Sequence, residues 1–283
     1  MDDGKIHYIY KIHFLKGFPA GRYYIGKRTF KGKDLRKDSY SGSGNFCFAY
    51  FKKYGKLEGE TYIREILEIN PDIYLFASPW SPPYWTKTGG SMCGGYMREQ
   101  YLDCYADYMI KFIKAYADRG IKSSAITPQN ESNTQQDGKM PACIWHPEIE
   151  ARFIKLLRQK LDNESLDVKI WMYDHSFIDT QRVLWSLENC ESLSEDCDGV
   201  AFHYYAGTIE QTRVIQKAFP NIELHFTEGG PRLTDHYDTD WCKWGLMIVK
   251  ALKAGYRSFT GWNLMLDETG GPNVGPFLGT CGG

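Results

Sequence analysis

The stretch from Gly120 to Ser132, GIKSSAITPQNES, constrains the fold of this chain more than any other. Residues 123–127 have the length of a strand that is buried on both faces, and Pro128 prevents the hydrogen-bond ladder from continuing. Asn130 and Glu131 therefore come just after a strand end. In an α/β barrel, the loops that leave the carboxyl ends of the strands converge on one cavity, so this placement makes Glu131 a candidate proton donor.

A second stretch repeats this pattern. Residues 221–230, NIELHFTEGG, form a short alternating strand that ends at Glu228 and is followed by glycines that let the chain turn away. One glutamate of this kind is usually an ordinary solvated loop acid. Two glutamates at one rim suit a retaining glycosidase, in which one carboxylate attacks the anomeric carbon and another, about 5 Å away, protonates the leaving oxygen.

Five longer sequence words follow one another along the chain: SPWSPPYW at 78–85, AITPQNE at 125–131, VAFHYY at 200–205, FTEG at 226–229 and GWNLMLDETGGPN at 261–273. Together they resemble the family 30 glycoside hydrolases, the glucosylceramidase group. The resemblance covers about residues 70–283 of the sequence. It implies a retaining β-glycosidase that acts on a β-glucoside or a glucosylceramide-like carbohydrate without a metal or other cofactor.

The same resemblance implies roles for individual residues. Glu131 would be the acid/base, Glu228 the nucleophile, and Asn130 a hydrogen-bond partner of the sugar 2-hydroxyl. His203 and Tyr205 fall at a strand end and resemble active-site positions of the family, although a lone histidine is often structural. We expect all of these side chains at one rim.

Three further strand ends supply candidate substrate-binding residues. Asp174 follows a predicted strand at 168–173, and a predicted last strand at 258–264 carries Trp262 and Asn263 to the rim. Trp80 follows the first strand, at 73–77. Trp80 and Trp262 could stack on sugar faces, because aromatic planes favour pyranose C–H surfaces, or they could simply pack in the core.

From Pro71 onward, strands and helices alternate, which predicts an α/β fold with a parallel sheet and outer helices. A stripe of tyrosines and apolar residues over 101–116 predicts one buried helix face, and Pro147 opens another helix. Only six strands are found, whereas a complete barrel has eight. We therefore expect an incomplete TIM (β/α) barrel over 70–283 that lacks its first two strand-helix units. The resemblance implies that a sugar-gripping aspartate is lost with them, which would weaken or abolish activity.

The first 69 residues differ in sequence pattern from the strand-helix alternation of the rest of the chain. Alternating segments at 5–12 and 22–26 predict a hairpin, and they contain the words YIY at 8–10 and YIG at 24–26. With SYSGSG at 39–44, AYFKKYG at 49–55 and REIL at 64–67, they resemble phage-type GIY-YIG homing endonucleases. We therefore expect a small α+β domain over 1–69.

That second resemblance implies that Tyr10 and Tyr24 help to deprotonate an attacking water, that Arg28 holds the scissile phosphate, and that activity needs Mg²⁺. The family's metal-binding glutamate would follow REIL, where the glycosidase-like sequence begins instead. Alternatives are therefore a basic, tyrosine-rich hairpin without cleavage activity, or an inactive chimera produced by fusion or a broken reading frame.

Charge separates the two segments. Residues 1–69 hold 14 Lys and Arg against 8 Asp and Glu, a balance of +6, whereas the remainder carries −7. A basic segment suits a polyanion, so DNA contact through residues 1–69 is predicted. The eight cysteines have no zinc-site spacing and are interpreted as buried free thiols. The chain has no signal-peptide core and no apolar run of about 18 residues, which predicts a cytoplasmic location and no membrane span.

Overall fold

The structure is a computed structural model, and the chain divides into two compact units, residues 1–71 and 72–283. It describes the backbone of residues 6–13, 23–30 and 60–62, together with residues 63–230 and 240–262. The side chain of residue 65 lies outside this description. No helix among the described residues is long and apolar enough to cross a membrane.

The first unit contains the predicted hairpin. Strand β1, Ile6–His13, pairs antiparallel with β2, Tyr23–Phe30, and a helix, α1, follows at Glu60–Ile69. Tyr10 lies opposite Gly26 in this ladder. The side chains of Tyr10, Tyr24 and Arg28 lie outside the described part of the chain, so their nuclease-like arrangement stays a prediction.

The second unit is a single parallel sheet of six strands with helices between them. The strands lie side by side in chain order: β3 Phe76–Ala77, β4 Ala125–Ile126, β5 Lys169–Ser176, β6 Gly199–His203, β7 Glu223–Glu228 and β8 Tyr256–Phe259. The helices are α2 Leu102–Ala117, α3 Pro147–Asn163, α4 Thr180–Asn189, α5 Leu193–Asp196, α6 Arg213–Ala218 and α7 Trp241–Lys253. Among the described residues β3 and β8 are the two edges. The predicted incomplete α/β barrel is therefore confirmed as a parallel-sheet half-barrel.

The strand boundaries differ from the predictions in three places. The first two strands pair over only two residues each, which is shorter than predicted. The last strand begins earlier, at Tyr256, because Gly255 adopts φ 82° after α7 and Tyr256 then pairs with Leu224. The strand predicted to end before Asp174 continues to Ser176 through a bulge between Tyr173 and His175.

The sheet packs on both faces. Between sheet and helices lies the main core, which includes Phe153, Leu157 and Ile170. On the other face Trp171 stacks on His225 with ring centroids 3.7 Å apart, beside the small Ala125 and Ala201. This concave face is capped at the carboxyl ends of the strands by polar residues, which is where the candidate site lies.

Two predictions about buried residues need correction. Tyr108, part of the predicted buried stripe of α2, is 52% exposed, because it lies on the solvent side of the helix while Tyr105 and Met109 face the core. The six cysteines among the described residues are free, as predicted, but only Cys143 and Cys197 are buried.

Candidate active site

A pocket of about 300 Å³ lies at the carboxyl ends of the strands. Each strand contributes to its wall through the residues at or just after its end. Six of the residues predicted from the sequence line it: Trp80, Asn130, Asp174, His203, Glu228 and Trp262. Two other predicted residues, Glu131 and Tyr205, contact members of this wall. Asn263 lies outside the described residues, so its predicted role is untested.

Glu131 and Glu228 approach each other across this pocket. One carboxylate oxygen from each, together with a ring nitrogen of His203, all lie within 4.8 Å of one another. Retaining glycosidases separate their two carboxyl groups by about 5 Å, and inverting ones by roughly 6.5–9.5 Å, so that a water fits between. The spacing here therefore suits direct attack by one carboxylate.

His203 lies at the centre of the site and is almost completely buried. Its Nε2 is 3.1 Å from Asp174 Oδ1 and 3.9 Å from Glu228 Oε2, and its Nδ1 is 3.4 Å from Glu131 Oε1. Burial alone would lower the pKa of this imidazole, but the hydrogen bonds with Asp174 and Glu131 outweigh it and raise the pKa to about 10. At neutral pH His203 is therefore an imidazolium among three carboxyl groups.

Asp174 anchors this imidazolium from behind. Burial opposes its ionisation, but hydrogen bonds from His203, Ser78 and Thr227 hold the pKa of the carboxyl below its usual range. Thr127 donates a further hydrogen bond of 3.0 Å to Oδ2, and Thr227 one of 2.6 Å to Oδ1. Both oxygens of Asp174 are thus engaged by the protein.

Sequence reasoning missed the three hydroxyl residues that contact Asp174. Ser78, Thr127 and Thr227 lie at or just beyond the ends of β3, β4 and β7, so the sheet brings three hydroxyl groups to one carboxylate. A signal was present: each hydroxyl residue occupies the end of its strand within one of the five sequence words. Only the sheet order shows that they share one partner.

Glu228 is bound differently from Asp174. The Tyr205 hydroxyl donates to its Oε1 over 2.8 Å. Burial raises the pKa of Glu228 to about 7, while the charge of His203 and the Tyr205 hydrogen bond oppose that rise. With this pKa, Glu228 is partly protonated at pH 7, whereas the nucleophile that the resemblance implies must be ionised. His203 and Tyr205 keep the pKa from rising further, so the carboxylate is available from neutral pH upward.

Trp80 and Trp262 meet where the two edges of the sheet come together at the rim. Their ring centroids are 5.4 Å apart, with the ring planes tilted by 32°. A hydrogen bond holds the backbone of each residue: the Gln129 side chain donates from Nε2 to Trp80 O over 2.8 Å, and Trp262 N donates to Gly229 O over 2.8 Å. The rings pack on each other and also line the pocket, so packing and sugar stacking are compatible here.

Three residues at the site adopt left-handed backbone conformations that favour glycine. Glu131 has φ 52°, Tyr173 φ 74° and Asp174 φ 50°. Each such residue costs about 1–2 kcal/mol, and strain of this kind concentrates at functional sites. The two strained segments are joined, because the Glu131 amide donates to Asp174 O over 2.7 Å.

The cluster of Glu131, His203 and Glu228 is also close enough to surround a metal ion. A histidine nitrogen coordinates a metal only when it is unprotonated. Because the pKa of His203 is raised to about 10 by its hydrogen bonds against the effect of burial, both of its nitrogens carry protons at neutral pH. As the cluster stands, a metal ion would have to displace the protons of His203 before this imidazole could coordinate it.

Comparison with known proteins shows which family domain the chain matches. Residues 30–278 match the glycosyl hydrolase family 30 TIM-barrel domain, a match that begins well before the domain boundary predicted near residue 70. The chain is 30% identical to the lysosomal acid glucosylceramidase of Mus musculus, over 71% of this chain and 43% of that protein. It is 26% identical to an endo-1,6-β-D-glucanase of Trichoderma harzianum, over 79% and 47%.

The fold comparison agrees. A solved endo-β1,6-glucanase structure superposes with a TM-score of 0.72 at 26% identity, covering 81% of this chain and 56% of that one. The chain spans about half the length of the curated relatives it matches.

Proposed function

This chain belongs to glycosyl hydrolase family 30, and we propose that it hydrolyses a β-glucoside by double displacement with retention of configuration. The observation that carries the proposal is the approach of Glu131 and Glu228 oxygens to within 4.8 Å beside His203. The proposal requires no cofactor, because both proton transfer and nucleophilic attack are done by carboxyl groups.

In the first step the Glu228 carboxylate attacks the anomeric carbon while Glu131 donates its proton to the leaving oxygen, so that the glycosidic bond breaks as an ester to Glu228 forms. In the second step Glu131 takes a proton from water, and the resulting hydroxide equivalent displaces Glu228. His203, a fixed imidazolium with Nε2 3.9 Å from Glu228 Oε2, favours the ionised state of the nucleophile.

The other residues serve binding and orientation in this scheme. Asn130, on the pocket wall, would hold the sugar 2-hydroxyl, and Tyr205 orients Glu228 through its hydroxyl. Trp80 and Trp262 would contact the sugar ring. Asp174 supports His203 from below, and Asn263 is proposed only from the family resemblance.

Two kinds of β-glucoside are candidate substrates. One relative is named for glucosylceramide and another for a β-1,6-glucan, so the substrate carries either an apolar aglycone or a further sugar. We propose the glucosylceramide type, and side-by-side assays with glucosylceramide in mixed micelles and with a β-1,6-glucan distinguish them. Faster release of glucose from the glucan would overturn this choice without affecting the proposed reaction.

An aryl β-glucoside assay of the full chain tests the reaction itself. Proton NMR of the first product should show the β-anomer of glucose. Glu228→Gly should lose turnover and regain it with added azide, whereas Glu131→Ala should mainly slow substrates with poor leaving groups. An α-anomeric product, or equal residual activity and no azide rescue in both variants, would exclude these roles. An inactive wild type would mean that the half-barrel retains the site without its activity.

We propose a second, separate function for residues 1–69, which is nucleic-acid binding. The antiparallel β1–β2 hairpin and the +6 balance of this segment support it. Binding through Lys and Arg would weaken steeply with salt, because phosphate counterions are released. A gel shift of the full chain with duplex DNA at low and high salt is the measurement. No shift at low salt removes the idea, and only a Mg²⁺-dependent nick would support cleavage.

A further inference from the structure

The backbone of β5 is held by side chains next to its bulge, at Tyr173, the last residue that pairs with β6 before the register shifts. At Tyr173 the register of β5 against β6 shifts, and the backbone turns into the left-handed region. Its amide and its carbonyl are each bonded to a side chain. Tyr173 N donates to Glu150 Oε1 over 2.7 Å, and Ser132 Oγ donates to Tyr173 O over 2.8 Å. Two side chains therefore hold the peptide groups on either side of Tyr173.

These two side chains are tied together by Arg182. Its Nη2 lies 2.7 Å from Glu150 Oε2 and donates to Trp145 O over 2.8 Å, and its Nη1 donates to Ser132 Oγ over 3.3 Å. Glu150 is only 1% exposed, so this ion pair is a buried one. Removing one partner of a buried ion pair destabilises a protein by about 3–5 kcal/mol, so Glu150 and Arg182 are expected to stay paired.

The network reaches the reacting groups in two directions. Ser132 follows Glu131 directly, and Asp174 follows Tyr173, so the fixed peptide groups carry the acid/base candidate and the anchor of His203. The Glu131 amide donates to Asp174 O over 2.7 Å, which joins the two strained turns. Asp174 falls in the bulge between Tyr173 and His175 and is skipped in the pairing with β6.

From these contacts we infer that Glu150 is a positioning residue: through Arg182 and Ser132 it holds the strained turns that set Glu131 and Asp174 on the two nitrogens of His203. Glu150 itself contacts no reacting atom. It lies on α3, behind β5, and acts through its bonds with the Tyr173 amide and with Arg182. The inference builds on the proposed glycosidase reaction.

The chain contains a matched control for this residue. Asp198 also accepts a hydrogen bond from a backbone amide of β5, Ile170 N over 2.8 Å, and also pairs with an arginine, Arg158. It therefore makes the same two kinds of contact with the same strand, at the end remote from the pocket, with a side chain that is 32% exposed. Asp198→Asn reports the cost of disturbing such a pair away from the site.

The test compares Glu150→Gln with Asp198→Asn in the full chain. The amide in Glu150→Gln keeps an acceptor for Tyr173 N but has no charge for Arg182, so the turn loosens. We expect kcat on an aryl β-glucoside to fall about 10- to 100-fold per folded molecule, with KM little changed, because small misplacements of reacting groups are costly. Asp198→Asn should lose stability to urea and keep kcat. Equal kcat in Glu150→Gln and Asp198→Asn would overturn the inference.

A second readout does not depend on turnover. The imidazole of His203, labelled with ¹³C and assigned by His203→Gln, should titrate about one pH unit lower in Glu150→Gln than in the wild type and be unchanged in Asp198→Asn. Should Glu150→Gln not fold, Ser132→Ala removes one support of Tyr173 and should shift the same titration in the same direction. An unchanged His203 titration in the folded variant refutes the positioning role. If the wild type hydrolyses nothing, only the proposed function fails, and this titration still decides.

Discussion

Trp80 and Trp262 contact each other, with ring centroids 5.4 Å apart, although they follow the two edge strands of the sheet. The strands themselves are not paired among the described residues. Aromatic contact at the rim thus joins the two ends of the half-barrel above the pocket. Because each ring supports the other, removing one also disturbs its partner, and the effects of the two substitutions should be coupled.

Trp80→Ala and Trp262→Ala should each raise KM about tenfold, because either change removes a pocket wall and frees the other ring. The double variant should be little worse than the worse single one, since residues in contact are not additive. Steady-state kinetics of the four proteins in a double-mutant cycle measure this coupling. Strictly additive losses would mean that the rings act on the substrate separately.

The second prediction concerns stability at alkaline pH. Since the pKa of His203 is raised to about 10 by its carboxylate partners against burial, its stabilising effect is complete below the unfolded value near 6.5 and is lost as pH rises through about 10. Between pH 7.5 and 9.5 the free energy of unfolding should therefore fall by about 2 kcal/mol.

Urea unfolding at several pH values measures this slope, and His203→Gln should flatten it. His175 provides the control, because burial lowers the pKa of this imidazole and it is already neutral in that range. His175→Gln should keep the wild-type slope. If His203→Gln keeps it as well, the imidazolium assignment is wrong.

The third prediction concerns activity at acid pH. Because burial raises the pKa of Glu228 to about 7, the ionised nucleophile appears as pH increases through that value, and this ionisation sets the acidic limb of the kcat/KM profile. Tyr205→Phe removes a hydrogen bond that favours the carboxylate, so the acidic limb should move upward by on the order of one pH unit. The pH profile of Tyr204→Phe, whose ring packs on Trp244, should not move. A downward shift in Tyr205→Phe would contradict the assigned hydrogen bond.

Two glycines test how tightly the rim is packed. A Cβ on Gly230 would lie 1.8 Å from Trp262 O, so Gly230→Ala must displace Trp262 and should cost about 1–3 kcal/mol and raise KM. Gly245, inside α7, has nothing within 4 Å of an added Cβ, and Gly245→Ala should stabilise the protein by about 0.5–1 kcal/mol. Urea unfolding of both variants is the measurement, and a neutral Gly230→Ala would show that the rim is free to move.

Much of the fold was predictable because each strand of the parallel sheet is short and either ends at a polar residue or is followed directly by one. β7, Glu223–Glu228, ends at the glutamate where the sequence placed its end, and the six strands follow one another in chain order. The edge strands were less predictable, since their length depends on the neighbouring strand that pairs with them. The alternating pattern cannot show where such pairing stops.

The site was predictable only in part. Glu131, His203 and Glu228 follow strands, so periodicity and the family resemblance were enough to bring them to one rim. Glu150 was missed because it lies inside a helix among residues that look like an ordinary charged face. Its burial against the Tyr173 amide depends on how α3 packs on β5, which the pattern of residues along the helix does not show.

The left-handed backbone at Glu131 has a consequence for how this chain can change over time. Glycine would relieve the backbone strain at position 131, so the least strained sequence for this turn differs from the one that can do the proposed chemistry. Selection for stability alone would therefore favour glycine there. A lineage that keeps glutamate at position 131 sacrifices stability at the place where its proposed proton donor is held.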